Sequence, residues 1–197
     1  MHLDSFYALV PELDRGYIDY LICEILAIGR AELQLIENVS EDDNRKILAA
    51  IAKLKEGIPP QYIIGYTWFY GYRFKVRPGV LIPRFDTEVL IEALVKYLPE
   101  SGSILDIGTG SGIIAITLKL LRPSLSVHAT DISSEALALA KDNARSLCAD
   151  VHLFLSDLLP EHPAIYSVIV SNPPYIDLPE YEALDCMVKD HEPRIAL

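Results

Sequence analysis

Asn172-Pro173-Pro174-Tyr175 is the stretch of this chain best suited to chemistry. It closes the apolar run Tyr166-Ser167-Val168-Ile169-Val170, by way of Ser171. A run rich in β-branched residues that stops at two prolines reads as a buried strand with an abrupt end. Neither proline carries an N–H, so the backbone there is rich in acceptors and poor in donors. Asn172 adds a side-chain carbonyl oxygen and Tyr175 a flat ring. Together they suit a planar group with N–H donors, such as an amide or the exocyclic amine of a base. A bare Pro-Pro is more often only a turn. What precedes it in the chain carries the reading further.

Gly108-Thr109-Gly110-Ser111-Gly112 follows the apolar stretch Ile104–Ile107 and leads into Ile113–Leu121. A glycine loop between a strand and a helix lets backbone N–H groups approach a ligand closely. Asp131 ends the next strand, where an acid can accept from both hydroxyls of a ribose. The pair asks for a nucleoside. A dinucleotide fingerprint requires a third glycine where this chain has Ile113, and the phosphate-binding G-x-x-x-x-G-K-[ST] string is absent.

The elements that must hold these residues follow from periodicity. Residues up to about Gly57 read as helical. Tyr17 to Ile28 is largely apolar, and 30–37 continues the pattern. Ser40 resembles an N-cap with Asp43 near its N3 position. Ile47, Ile51 and Leu54 form one stripe, and Gly57, Pro59 and Pro60 stop that helix. Trp68 to Val76 suggests a hairpin around Gly71, with most of its aromatics on a packed face. Val80 to Glu88 is an extended piece entering a helix capped by Asp86 or Thr87, whose apolar face is Leu90, Leu94, Tyr97 and Leu98. Strands are expected at 104–107, 127–130, 151–155 and 166–170. Helices are expected over 113–121 and from a Ser133 or Ser134 cap to about Leu147. Strands alternating with helices imply an α/β fold with a parallel sheet and right-handed crossovers.

Composition narrows the class. The chain has 197 residues, 51% hydrophobic and 23% charged, which suits one globular domain, or one domain plus a small appendage. No apolar run approaches the roughly 18 residues of a membrane span. Met1-His2-Leu3-Asp4-Ser5 shows no secretory signal. Cys23, Cys148 and Cys186 lie far apart, and the five histidines lack ligand spacing, so neither disulfides nor a metal are expected. A cytoplasmic protein is the simplest account. A net charge of -11 opposes unaided binding to nucleic acid.

Asp106-Ile107-Gly108-Thr109-Gly110-Ser111-Gly112, Asp131 and Asn172-Pro173-Pro174-Tyr175 together resemble the class I S-adenosylmethionine-dependent N-methyltransferases. Gln61-Tyr62-Ile63-Ile64-Gly65, Phe69-x-Gly71, Leu81-Ile82-Pro83-Arg84-x-x-Thr87-Glu88 and Glu192-Pro193-Arg194-Ile195-Ala196-Leu197 narrow this. They resemble the HemK/PrmC family, the peptide chain release factor glutamine N5-methyltransferases. The resemblance implies a Rossmann-like class I methyltransferase sheet, with S-adenosyl-L-methionine as cofactor and release factors as protein substrate. It implies a helical substrate-recognition domain at 1–58, a β-hairpin linker at 59–85 and a cofactor-binding domain at 86–197. Gly108, Thr109, Gly110, Ser111, Gly112, Asp131, Asp157, Leu158 and Asn172 would contact the cofactor. Asn172, Pro173, Pro174 and Tyr175 would be catalytic and, with Arg84, would hold the glutamine of the substrate's Gly-Gly-Gln loop. Phe85 stands where the family usually has proline. The family also continues beyond the Glu192–Leu197 segment, so a sheet incomplete on its C-terminal side is expected, with the fourth strand an uncovered edge. Two alternatives are a nucleic-acid exocyclic-amine methyltransferase, which would flip its base, and an inactive truncated relic that only binds.

Overall fold

The fold is set by where this sequence lets helices begin and strands stop. The structure, a computed structural model, describes residues 3–162 and 164–197. Met1 and His2, on which the expected absence of a secretory signal partly rests, lie outside the described residues. The chain divides into two compact units. One runs to Gly65 and includes Cys186–Val188; the other comprises Tyr66–Asp185 and Lys189–Leu197.

The first unit is helical: α1 (Asp4–Ala8), α2 (Arg15–Leu26), α3 (Arg30–Leu33), α4 (Glu41–Lys55) and α5 (Pro60–Ile64). Ser40 caps α4 by accepting the Asp43 N–H at 3.1 Å. Acidic residues in the first turn of α4 and lysines in its last suit the helix dipole. Ile47, Ile51 and Leu54 bury their stripe against Phe6, Ile18, Leu21 and Ile22. Three expectations need correction. Ala27 adopts a left-handed φ of 55°, so α2 stops at Leu26. Only 30–33 of the stretch 30–37 is helical. Pro60 begins a helix, because a first-turn proline has the right φ and its missing N–H needs no partner. Residues 60–64 therefore form a helix within the first unit and not part of a hairpin linker.

The second unit opens with the hairpin β1 (Tyr66–Phe69) and β2 (Tyr72–Lys75). Tyr70 and Gly71 both have positive φ, the turn whose twist matches its strands. Phe69 and Phe74 meet edge to face in the core, while Trp68 faces outward. Next comes α6 (Phe85–Val95). Its N-cap is Arg84, in extended conformation and without a side-chain cap bond. Asp86 and Thr87 lie inside the first turn instead of capping it. Phe85 takes the first helical position, where the proline usual in the family would also fit. Tyr97 falls beyond the helix and is exposed, while Ile91 supplies the fully buried contact.

The main sheet contains β3 (Gly102–Ile107), β4 (Leu125–Asp131), β5 (Val151–Leu155) and β6 (Val168–Ser171), all parallel, in the order β5-β4-β3-β6. The crossovers β3 to β4 and β4 to β5 carry α7 (Ile113–Leu121) and α8 (Ser134–Ser146), the latter capped by Ser133. Ile104, Val127 and Ala129 pack with Ile114, Ala115 and Leu118 of α7. The fourth strand, expected at 166–170, begins two residues later and ends one later, at 168–171, and pairs with β3 alone among the described residues. After it come α9 (Leu178–Glu182), α10 (Cys186–His191) and a 3₁₀ turn at Arg194–Ala196. The chain leaves β3 toward β4 and β5, then returns on the other side at β6. Ligands bind at such a switch point, outside the carboxyl ends of the strands. Among the described residues, no helix is long and apolar enough to cross a membrane.

Candidate functional site

A cavity of about 320 Å³ opens at the carboxyl ends of β3, β4 and β6. Gly108, Thr109, Gly110 and Ser111 line it from β3, Asp131 from β4, Asp157 and Leu158 from the loop after β5, and Asn172, Pro173 and Pro174 from β6. Arg84 and Thr87 line it from the start of α6, and Pro193, Ile195 and Ala196 from the C-terminal segment. Residues widely separated in sequence thus share one cavity.

The glycine loop is shaped by its own backbone. Gly108 and Gly110 have φ of 72° and 56°, which favours glycine. The N–H groups of Gly108 and Thr109 both donate to the Thr130 carbonyl at 2.9 Å. The Gly110 N–H donates to Asp131 Oδ2 at 2.8 Å, and the Ser133 N–H to Asp131 Oδ1 at 2.8 Å. The carboxylate therefore braces the loop through one bond on each oxygen. Its remaining lone pairs are available to hydroxyl donors. Below the loop, Asp106 is fully buried. Its Oδ2 accepts from the Thr109 hydroxyl at 2.6 Å and the Ala115 N–H at 3.2 Å, while Oδ1 has no partner. Burial pushes its pKa up to about 6, against the pull of those two bonds and with a small push from Asp131.

Two expected site residues do not line the cavity. Gly112 faces the packing between α7 and α8. A Cβ there would lie 2.7 Å from Ile116 Cδ1 and 3.1 Å from Ala140 Cβ. It is a close-packing glycine at the N-cap of α7. Tyr175 is 73% exposed. Its N–H and that of Ile176 both donate to the Leu197 carbonyl, at 3.1 and 2.8 Å, which fixes the backbone after the prolines.

The corner itself is held from two sides. The Ser171 hydroxyl donates to the Ile107 carbonyl at 2.8 Å, tying the end of β6 to β3. Asn172 Nδ2 donates to Thr87 Oγ1 at 3.2 Å. The side-chain oxygen takes no part in that bond. Arg84, expected against the substrate, makes a 2.6 Å ion pair with Glu192 as well as bordering the cavity. Glu192 also accepts the Ile82 N–H at 3.0 Å.

Thr87, expected only as a helix cap, and Asn143 and Glu192 had no expected part in the site. Asn143 is buried on α8. Its amide exchanges hydrogen bonds with the Lys75 backbone and donates to the Ser111 carbonyl, joining the hairpin to the glycine loop. A signal was available: Asn143 is a polar residue on the stripe formed by Ala136, Leu139 and Ala140. Glu192 lay in a quoted motif, but its partner is 108 positions away. Among the described residues, no group of three or more His, Cys, Asp or Glu side chains is placed to hold a metal ion.

Comparison with known proteins gives concordant results. The profile of the PrmC N-terminal domain matches residues 10–65, and that of the methyltransferase small domain matches residues 72–191. The release factor glutamine methyltransferase of Bacillus cereus is 41% identical over 194 residues, covering 93% of this chain and 69% of that protein. The protein of the same name from Bacillus subtilis is 45% identical over 174 residues, covering 83% of this chain and 60% of that one. The solved 16S rRNA N2 G1207 methyltransferase of T. Thermophilus, in complex with AdoMet and guanosine, is 25% identical. It superposes with a TM-score of 0.47 over 56% of this chain and 32% of that one.

Proposed function

The chain belongs to the release factor glutamine methyltransferase family, and from that premise we propose that it methylates the side-chain amide nitrogen of a release-factor glutamine, using S-adenosylmethionine. It is an enzyme with the class I methyltransferase fold. The observation that carries the proposed site is the convergence of Gly108–Ser111, Asp131 and Asn172-Pro173-Pro174 on one cavity.

The residues present fit the cofactor. Gly108 borders the cavity, and a Cβ built there meets no atom within 4 Å, so the space beside it is open to a ligand. Asp131 accepts the ribose hydroxyls on the lone pairs that its bonds to Gly110 and Ser133 leave over. Asp157, Leu158 and Ile132 wall the same side. When bound, S-adenosylmethionine supplies an electrophilic methyl group on a sulfonium.

A glutamine nitrogen is a weak nucleophile because its lone pair is delocalised into the carbonyl. Asn172 Oδ1 and the Pro173 carbonyl accept its two N–H bonds and fix its direction of approach. Positioning of this kind can contribute up to about 7–11 kcal/mol to lowering a barrier. Carbonyl dipoles also favour the positive charge that builds on nitrogen as the new N–C bond forms. Once the methyl group has moved and its bond to sulfur has broken, the extra proton on nitrogen would pass to water, so this step requires no histidine base. Pro174 walls the corner, and Tyr175 stands outside it. The helical unit recognises the body of the release factor, a role supported by the match of residues 10–65 to the PrmC N-terminal domain. The protein acts in the cytoplasm without holding nucleic acid directly, in keeping with its net charge of -11.

The test is methyl transfer to purified release factor from labelled S-adenosylmethionine, read by tandem mass spectrometry. One methyl group on the Gly-Gly-Gln glutamine is expected, and none on a Gln-to-Glu control. Equal labelling of that control, or methylation of RNA in its place, would overturn the assignment. Cofactor binding without any transfer would reduce the chain to a binding module.

A further inference from the structure

Thr87 is 3% exposed, borders the cavity and stands in the first turn of α6. Its hydroxyl oxygen accepts the Asn172 Nδ2 proton at 3.2 Å. The two halves of an asparagine amide are nearly the same in shape and opposite in chemistry: the oxygen only accepts, and the nitrogen only donates. A corner that receives an NH2 group works with the oxygen forward and fails with the nitrogen forward, because two donors then face each other. The following residues, Pro173 and Pro174, have no N–H to choose between those orientations. In the structure the Thr87 oxygen accepts from that nitrogen; a hydroxyl also donates, so it favours the oxygen-forward orientation while its own proton points away from Asn172.

We propose that Thr87 is a positioning residue, which by accepting from Nδ2 presents Asn172 Oδ1 to the incoming amide. The inference rests on the reading of Asn172 as the acceptor for the substrate glutamine. The surroundings of Thr87 support it. Its N–H donates to the Arg84 carbonyl at 3.1 Å. Arg84 is paired with buried Glu192. The adjacent Glu88 accepts the Tyr70 N–H at 2.6 Å, tying the start of α6 to the hairpin turn. The hydroxyl is thus held by a braced helix end, which is what fixing one orientation of a neighbouring amide demands.

The test is a cycle of Thr87→Val, Asn172→Ala and the double variant, with Thr87→Ser as the conservative substitution. Valine keeps the shape and removes the acceptor. Thr87→Val should lower kcat about a hundredfold, with KM for release factor, cofactor affinity and thermal midpoint little changed. Thr87→Ser should restore most of the rate. In the Asn172→Ala background, Thr87→Val should cause no further loss. Nitrogen-15 NMR gives a readout apart from activity. The side-chain NH2 pair that vanishes in Asn172→Ala should show one proton protected from exchange in the wild-type protein and lose that protection in Thr87→Val. A wild-type kcat in Thr87→Val beside a slow Asn172→Ala would overturn the positioning role and leave the functional reading standing. Full speed in Asn172→Ala would overturn that reading itself. Multiplying effects in the double variant would mean that Thr87 acts elsewhere. Were Thr87→Val not to fold, an Asn172 pair freely exchanging in the wild-type protein would still refute the proposal.

Discussion

Replacing Glu192 with Gln should loosen the C-terminal segment from the turn before α6. The Glu192 side chain is only 1% exposed and accepts from Arg84 Nη2 at 2.6 Å and the Ile82 N–H at 3.0 Å. A glutamine keeps one oxygen for one of those donors and sets an NH2 group against the other. Removing one partner of a fully buried ion pair costs about 3–5 kcal/mol. Here Arg84 is 36% exposed, so water takes up part of its loss. A charge-assisted hydrogen bond contributes about 1.5–3 kcal/mol net, and the upper part of that range, about 2–3 kcal/mol, is expected. For a chain of this size that lowers the thermal midpoint by roughly 4–12 °C. Arg84→Ala should cost more, because it leaves a nearly inaccessible carboxylate with a single N–H donor. The double variant should cost less than the sum. Thermal and urea unfolding of the three variants measure this directly. An Arg84→Ala protein with an unchanged midpoint and a raised KM for release factor would refute the reasoning. It would return Arg84 to a role against the substrate.

Asp131→Ala should weaken S-adenosylmethionine binding by about 1.5–3 kcal/mol in a calorimetric titration; unchanged affinity would remove Asp131 from the ribose. Gly112→Ala should cost about 1–3 kcal/mol of stability in urea unfolding, because the added Cβ meets Ile116 and Ala140 at a residue with φ of 85°. A variant as stable as wild type would show that this contact yields freely. Asp106 predicts a pH dependence. Unfolded, it ionises near 3.8; folded, near 6. The folded state therefore holds the proton more tightly between those values. Stability attributable to Asp106 is greatest below pH 3.8 and falls as pH rises through 6, by about 3 kcal/mol in all. The difference between wild type and Asp106→Asn, followed by urea unfolding from pH 4 to 7, should show that slope, and a flat difference would contradict it.

Much of this architecture was legible because local chemistry and tertiary structure agree. The helix 113–121 and the strand 151–155 fall where glycine, charge and branching changes mark them. The Ser40 and Ser133 caps are short-range devices, written in adjacent residues. What escaped is long-range or ambiguous. Pro60 can end a helix or begin one, and only packing of the following turn decides. Gly112 and Gly108 look alike in sequence, yet one meets Ala140 across a helix contact and the other borders open space. Thr87 looks like a cap and instead faces Asn172, 85 positions away. No periodicity announces such a pairing.

In the proposed function the Asn172 corner directs methyl transfer to an amide nitrogen. Single-turnover transfer to release factor, with cofactor and enzyme in excess, measures it most directly in wild type, Asn172→Ala and Asn172→Asp. Asn172→Ala should slow transfer at least about a hundredfold while the loop and Asp131 keep most of the cofactor affinity. Asn172→Asp, which keeps an acceptor in the same shape, should retain part of the rate. Transfer at the wild-type rate by Asn172→Ala would contradict the account.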